Sequence, residues 1–257
     1  RLGYWDDSIA SNRAARTAAH AEGDVGEELH AMDYLTYAYL QRGRDTDARR
    51  VVGDLRAMSG LPTAQFKVDY AATAMPVRLA VERRQWATAA SLQPLPQAAP
   101  HVAAIVYWAR AIGQARSGHP QAAQSELVKI NACLHQLQSS GNVYWAMQTE
   151  VLSEEAQAWI LHAQGMADEA TQRMRSAADK EDAVEKLPVT PGPIVPAREQ
   201  LGEMFLELKR PPEALREFQS ALIAAPGRRG ALAGAGQAAE LAGDVRTAAR
   251  LRAELNR

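Results

Sequence analysis

The chain has 257 residues with 29 Lys and Arg against 30 Asp and Glu, so nothing in its formal charge of -1 draws it to a phosphate backbone or an anionic membrane, and nucleic acid is disfavoured as a partner. Its 47% hydrophobic and 6% aromatic residues are those of a folded protein and exclude disordered and collagen-like chains. One cysteine, Cys133, forbids an internal disulfide, and the longest apolar run, Val102 to Ala109, falls far short of the roughly 20 residues of a membrane helix, so no membrane span is expected.

The first residues, RLGYW, read as the end of one helix and the turn into another. With Arg1 in place of a methionine, the domain is expected to be truncated at its N-terminus, which leaves the compartment, cytoplasmic or periplasmic, open. Beyond them, apolar residues recur at intervals of three and four within Ala-, Leu-, Gln-, Glu- and Arg-rich segments, the helical period in a helix-favouring composition. Tyr34, Leu35, Ala38 and Tyr39 form one such stripe, stopped by Arg42-Gly43-Arg44. No run alternates as a half-buried strand does. About thirteen helices of some 10 to 20 residues are predicted, the usual length for packed antiparallel pairs.

The turns recur as well. Gly3-Tyr4-Trp5, Gly43-Arg44-Asp45, Gln85-Trp86, Gly118-His119-Pro120, Gly165-Met166-Ala167, Lys209-Arg210-Pro211 and Gly243-Asp244-Val245 each precede a small residue in the next helix. These are Ser8, Ala48, Ala89, Ala123, Ala170, Ala214 and Ala248, with spacings of 40, 41, 34, 47, 44 and 34 residues. A period near 34 with insertions points to a helical repeat array over a single domain, 1–257. Within it, Leu187 to Pro196 (LPVTPGPIVP) cannot be helix, because its prolines remove donors and restrict the residues before them. This extended connection, 187–196, is expected to bridge an irregular joint, the alternative being a lid over the groove with Thr190-Pro191-Gly192-Pro193 at its tip.

The best-formed unit spans residues 195–228, where Leu201, Gly202 and Phe205 are followed by Ala214, Phe218, Ala221 and Pro226. Gly236 and Ala248 repeat Gly202 and Ala214 one period later. This pattern resembles the tetratricopeptide repeat, departing from it where Arg198 replaces an aromatic and where Thr36, Val77 and Ala158 replace the crossing glycine in earlier units. More narrowly it is similar to a bacterial branch in which a Pro-Gly-Pro turn precedes a PAREQLGEMFLEL helix. The resemblance implies an all-α, right-handed superhelical solenoid of antiparallel helix pairs, whose first helices line a concave groove. The groove positions it implies are His30, Asp33, Tyr37, Arg78, Trp108, Glu155, Trp159, His162, Glu199 and Glu203, with Gln237 and Glu240 in the last unit. The Lys/Asn set with which carboxylate-clamp members hold a peptide terminus is missing, which favours a ligand with cationic or apolar groups. Trp108 suits a ligand platform and the inter-helix core equally, whereas Trp86, Trp145 and Tyr107 read as core.

Other candidates carry weaker chemistry. Glu150 with Glu154, and Glu181 with Glu185, are acidic pairs four residues apart on one helix face. Together with Glu155, Asp179 and Asp182 they could hold a cation, but a solvated face balanced by Arg173, Arg175, Lys180 and Lys186 explains them more simply. No spacing of His or Cys suggests a transition metal, and no cofactor is expected. His30 and Asp33 share a helix face, and a lone histidine there is more often polar core than catalyst. GAGQAA at 234–239 lacks the preceding strand of a phosphate-binding loop, and Cys133 lies among Ile130, Leu134 and Leu137 as a buried thiol would. The expectation is a non-catalytic binding scaffold holding a peptide, a protein segment or a small molecule in a concave groove. The alternative is an enzyme or cation-binding domain built on the carboxylates of the fifth helix pair. Arg1 to Ser8 are expected to lack a partner helix, leaving an end through which copies of the chain could associate.

Overall fold

In the computed structural model, which describes residues 2–184 and 190–256, the described residues form thirteen α-helices and no strand. They are α1 (Trp5–Glu22), α2 (Val25–Gln41), α3 (Asp45–Ala57), α4 (Phe66–Glu82), α5 (Trp86–Ser91), α6 (Pro100–Arg116) and α7 (Pro120–Ser139). After these come α8 (Val143–Ala163), α9 (Ala167–Ala183), α10 (Ala197–Glu207), α11 (Pro211–Ala224), α12 (Arg229–Leu241) and α13 (Val245–Leu255). Local chemistry sets their ends. Asp24 and Asp244 cap α2 and α13 by accepting the Glu27 and Thr247 amides at 3.0 Å each, and Pro100, Pro120 and Pro211 start α6, α7 and α11, where a missing N–H costs nothing.

Each small residue of the sequence period is the fourth residue of its helix, and those from Ala48 to Ala248 are buried. Five residues before each lies a left-handed backbone position: Gly3, Gly43, Gly118, Gly165 and Gly243 in five turns, Arg84 (φ 51°) and Lys209 (φ 57°) in the other two. The crossing positions Thr36, Val77, Ala158 and Gly202 are all buried. Gly236 departs from the expectation, because a Cβ there would lie 3.8 Å from its nearest neighbour, Leu251. The close approaches belong to Gly202 and Gly234, between which the Phe218 ring is held, and to Gly113, where a Cβ would stand 2.6 Å from the Ala90 amide nitrogen.

Neighbouring helices pack in succession, and α2 on α4, α4 on α6, α6 on α8 and α10 on α12 add a second set of contacts. This inner set is buried nearly all round: α2, α4 and α6 are predominantly apolar, whereas α3, α9 and α13 bury one narrow stripe. Between α8 and α10 the succession loosens, and side chains make the link, Trp159 Nε1 donating to Gln200 Oε1 at 2.9 Å. The Pro-rich connection falls at this joint. Residues 187–189 lie outside the described residues; 190–196 are not helical and turn inward.

The array closes on itself. α12 touches α2, the Trp5 indole donates to Gly227 O at 2.9 Å, and the Arg229 amide donates to Gln41 Oε1 at 2.9 Å. The expectation that the N-terminal residues lack a partner is therefore corrected: α1 packs on α2, and Trp5 is buried edge-on to Tyr37 (ring centroids 5.3 Å apart), although Leu2 and Tyr4 stay exposed. A turn whose indole meets a carbonyl more than two hundred residues away cannot be read from a local pattern.

Candidate functional site

Closure brings seven of the anticipated groove positions, Asp33, Tyr37, Arg78, Trp108, Glu155, Trp159 and Glu199, into the buried interior of the molecule. There, two guanidinium groups face five carboxyl groups. Arg78, fully buried, lies 3.6 Å from Asp33 Oδ1, stacks at 4.8 Å over the Tyr37 ring and donates to Pro193 O at 3.1 Å. Burial raises Asp33 to about 6, against the pull of Arg78. Arg228, at the N-cap of α12, donates to Glu199 Oε2 (2.5 Å), Glu82 Oε1 (2.8 Å), Tyr37 Oη (3.4 Å) and Ile194 O (3.4 Å). Glu82 is held in turn by Gln41 Nε2 at 3.0 Å. Burial lifts Glu199 to about 7 even beside Arg228, with Glu82 adding to the rise. A Cβ on Gly230 would collide with the Glu199 carboxylate, so glycine is what lets Glu199 reach Arg228.

On one side of this cluster opens a cavity of about 490 Å³. Tyr70 of α4, Trp108 of α6, Trp145 and Glu155 of α8, Glu181 of α9 and the inward run Thr190 to Pro196 line it. Its aromatic wall is a stack: His101 lies 4.5 Å from Trp145 and 5.7 Å from Phe66, and Tyr70 lies 6.1 Å from Trp145. Burial pushes the His101 imidazole down to about 4, so it is neutral near pH 7. Glu155 is 1% exposed; burial and then the Glu181 carboxyl hold it well above the usual carboxylate range, against the pull of the Gln200 and Trp108 side chains. Burial raises Glu181 to about 7, opposed by the Ala197 amide, which donates to Glu181 Oε2 at 2.9 Å. Among the described residues, Glu155 Oε2, Trp108 Nε1 and His101 Nε2 have no hydrogen-bond partner.

A smaller hollow of about 220 Å³ lies on the other side, lined by Glu82, Arg83, Arg84, Trp86, Trp159 and Glu203 among others. Val195 borders both hollows, and the Gln200 amide donates to its carbonyl at 2.9 Å. Here the charges are matched: Arg84 meets Glu203, Arg83 meets Asp45 at 2.9 Å, and Arg116 lies 4.0 Å over Trp159 while reaching Glu207 at 2.6 Å.

The remaining anticipated positions stand apart from the cavity. His30 is half-buried against Tyr34 (ring centroids 5.0 Å apart) in an open hollow beside α1, while Asp33 on the same helix turns to Arg78. His162 pairs with Glu207 at 2.9 Å; Glu203 pairs with Arg84; Gln237 is exposed; and Glu240 meets Arg252 at 2.8 Å. The acidic pairs separate. Glu150 and Glu154 share Lys180, Arg173 also reaches Glu154 at 3.3 Å, and Glu181 faces inward, whereas Glu185 lies outside the described residues. Among the described residues no cluster of three His, Cys, Asp or Glu side chains is arranged to hold a metal ion, and no helix is long and apolar enough to cross a membrane. Cys133 is buried against Ala103 and Ala104, which raises its thiol.

Four central residues carry no mark in the sequence: Tyr70, His101, Gln200 and Arg228. Arg228 follows a Pro-Gly turn, and its partner Tyr37 lies 191 residues away, so no periodicity announces the pair. Trp145, read as core, forms part of the cavity wall. The one available signal was the aromatic content at the start of α4, α6 and α8, where Phe66, His101 and Trp145 meet. Comparison of the chain with protein-family models and with curated proteins finds no match to either.

Proposed function

We propose that the chain is a tetratricopeptide-type scaffold, a right-handed superhelix of antiparallel helix pairs, that binds a ligand at its centre without transforming it. The recurring αL turn and buried small residue five positions later support the repeat reading. The binding reading rests on one observation: at a cavity of ligand size two fully buried polar side chains, Trp108 and Glu155, lie near enough for the indole to act on the carboxyl group, yet Trp108 Nε1 and Glu155 Oε2 make no well-formed hydrogen bond. Such atoms cost about 1–3 kcal/mol each when left unsatisfied, and a ligand that bonds them relieves that cost. A small molecule fits better than a peptide, because residues 190–196 already occupy the interior where an extended segment would lie.

The five tryptophan indole N–H groups offer a direct test. In two-dimensional ¹⁵N NMR with mixtures of small aromatic fragments, binding is expected to move the Trp108 and Trp145 side-chain signals and to leave Trp5, bonded to Gly227, in place. Thr149→Phe, which narrows the cavity from α8, should abolish the shifts. Fragments that move Trp5 or Trp86 but never Trp108 would refute a central site.

A further inference from the structure

We infer that the ligand is a small organic cation, an ammonium group on an aromatic or alkyl body, held with Glu155 as its counter-charge and the Trp108–Trp145–Tyr70 wall as its seat. The inference rests on the binding role proposed above and names the class of ligand.

Charge matching carries the argument. The cations at the centre face carboxylates of their own: Arg78, which does not line the cavity, lies 3.6 Å from Asp33 although its Nε and Nη2 make no hydrogen bond, Arg228 is shared by Glu199 and Glu82, and Arg198, at the cavity rim, is bound by Asp179, Asp182 at 2.9 Å and Glu217 at 3.0 Å. Glu155 is left without a basic group beside it, while Glu181 feels Arg228 and Arg198 only at a distance, with no ion pair to either among the described residues. Glu181 receives one backbone N–H, and Glu155 Oε2 receives no hydrogen bond among the described residues. A buried carboxyl group in that position is satisfied by a donor that also brings positive charge, since a charge-assisted hydrogen bond is about twice as strong as a neutral one. The surrounding surface has the second property such a ligand needs. Trp145 and Tyr70 line the cavity with their rings 6.1 Å apart, and desolvated aromatic faces attract ammonium groups. Trp108 Nε1, near Glu155 but without a well-formed hydrogen bond, adds one donor, which suits an acceptor on the ligand body. A metal ion fits less well, because the described residues offer no third carboxylate or imidazole grouped with these two.

The experiment uses the intact chain and three probes of one shape: tryptamine, its neutral isostere tryptophol, and indole-3-acetate. Isothermal titration at pH 7 is expected to rank them in that order, with tryptamine at least about tenfold tighter than tryptophol. Glu155→Gln keeps the shape of the side chain and should erase that preference, bringing tryptamine to the affinity of tryptophol in the same variant. Trp108→Phe should weaken tryptophol and tryptamine alike. Equal affinity for tryptamine and tryptophol, or a preference for indole-3-acetate, overturns the cation assignment; Trp108 and Trp145 NMR shifts with tryptophol would then still uphold a central binding site. If none of the three probes moves the Trp108 signal, the cation assignment and the central site fall together.

Discussion

The Arg228 cluster and the Glu155 wall are neighbouring parts of one buried centre, and both place carboxyl groups out of reach of water. At Arg228, Glu199 and Glu82 share a guanidinium, which is itself bonded to a tyrosine hydroxyl and a carbonyl, so nearly all of its donors are used. At Glu155 the carboxyl group is as deeply buried, but the charged group that acts on it is another carboxyl, Glu181. The first arrangement is complete within the chain and joins its two ends. The second has no basic group of the chain beside Glu155. Burial alone therefore does not mark a site; the mismatch between acidic and basic groups does.

The contrast can be broken most forcefully at Arg228. Arg228→Ala leaves Glu199 and Glu82 buried without a counter-charge and is expected to cost about 3–5 kcal/mol, read as a lower midpoint in urea unfolding. Gly230→Ala attacks the same cluster from the other side by driving Glu199 off Arg228, with an expected loss of about 1–3 kcal/mol in the same measurement. Glu155→Gln should act in the opposite direction, stabilising the ligand-free protein at neutral pH by about 1 kcal/mol and raising its Tm by a few degrees, because it removes an uncompensated acid.

The dependence on pH sharpens the comparison further. Asp33, Glu181 and Glu199 hold their protons in the folded state up to about 6, 7 and 7, whereas in the unfolded chain they lose them near 4 to 4.5. Between those values the folded protein binds more protons than the unfolded one, so stability should fall as pH rises from about 4.5 to 7. Glu207 and Glu213, whose folded values are lowered by His162 and Arg210 despite some burial, contribute stability that disappears only below pH 4.5, outside that window. Thermal melts from pH 4.5 to 8 should show the decline, and Glu155→Gln should make it shallower. The smallest effect expected is at a surface turn remote from both regions: Lys209→Gly relieves a left-handed backbone position and should add about 0.5 kcal/mol.

What the sequence made legible was local. The turn and the small residue after it recur because two helices crossing closely need both, and neither depends on distant parts of the chain. Arg84 and Lys209 blur that signal only where a side chain tolerates the conformation glycine prefers. Asp33, Arg78, Trp108, Glu155 and Glu199, picked out in the sequence, are all buried, since the helical period sets which face of a helix turns inward. The pairing of those residues was not legible. Whether a buried glutamate is neutralised depends on which arginine arrives from the far end, and Arg228 arrives by a closure that no heptad or 34-residue period encodes. His30 and Glu203 share the helix register of the central residues, yet they lie too near the rims to reach the cavity.

The meeting of Trp5 with Gly227 changes how the molecule comes apart. An open row of helix pairs loosens from its tips inward, each pair held by one neighbour. Here α1 and α2 are tied to the turn into α12 through an indole, an amide and a guanidinium, so the two ends of the chain hold each other: melting either one also uncovers Arg228. The frame that shapes the cavity is therefore held in place as a loop, and loss of a single link at its seam would turn it back into a fraying chain.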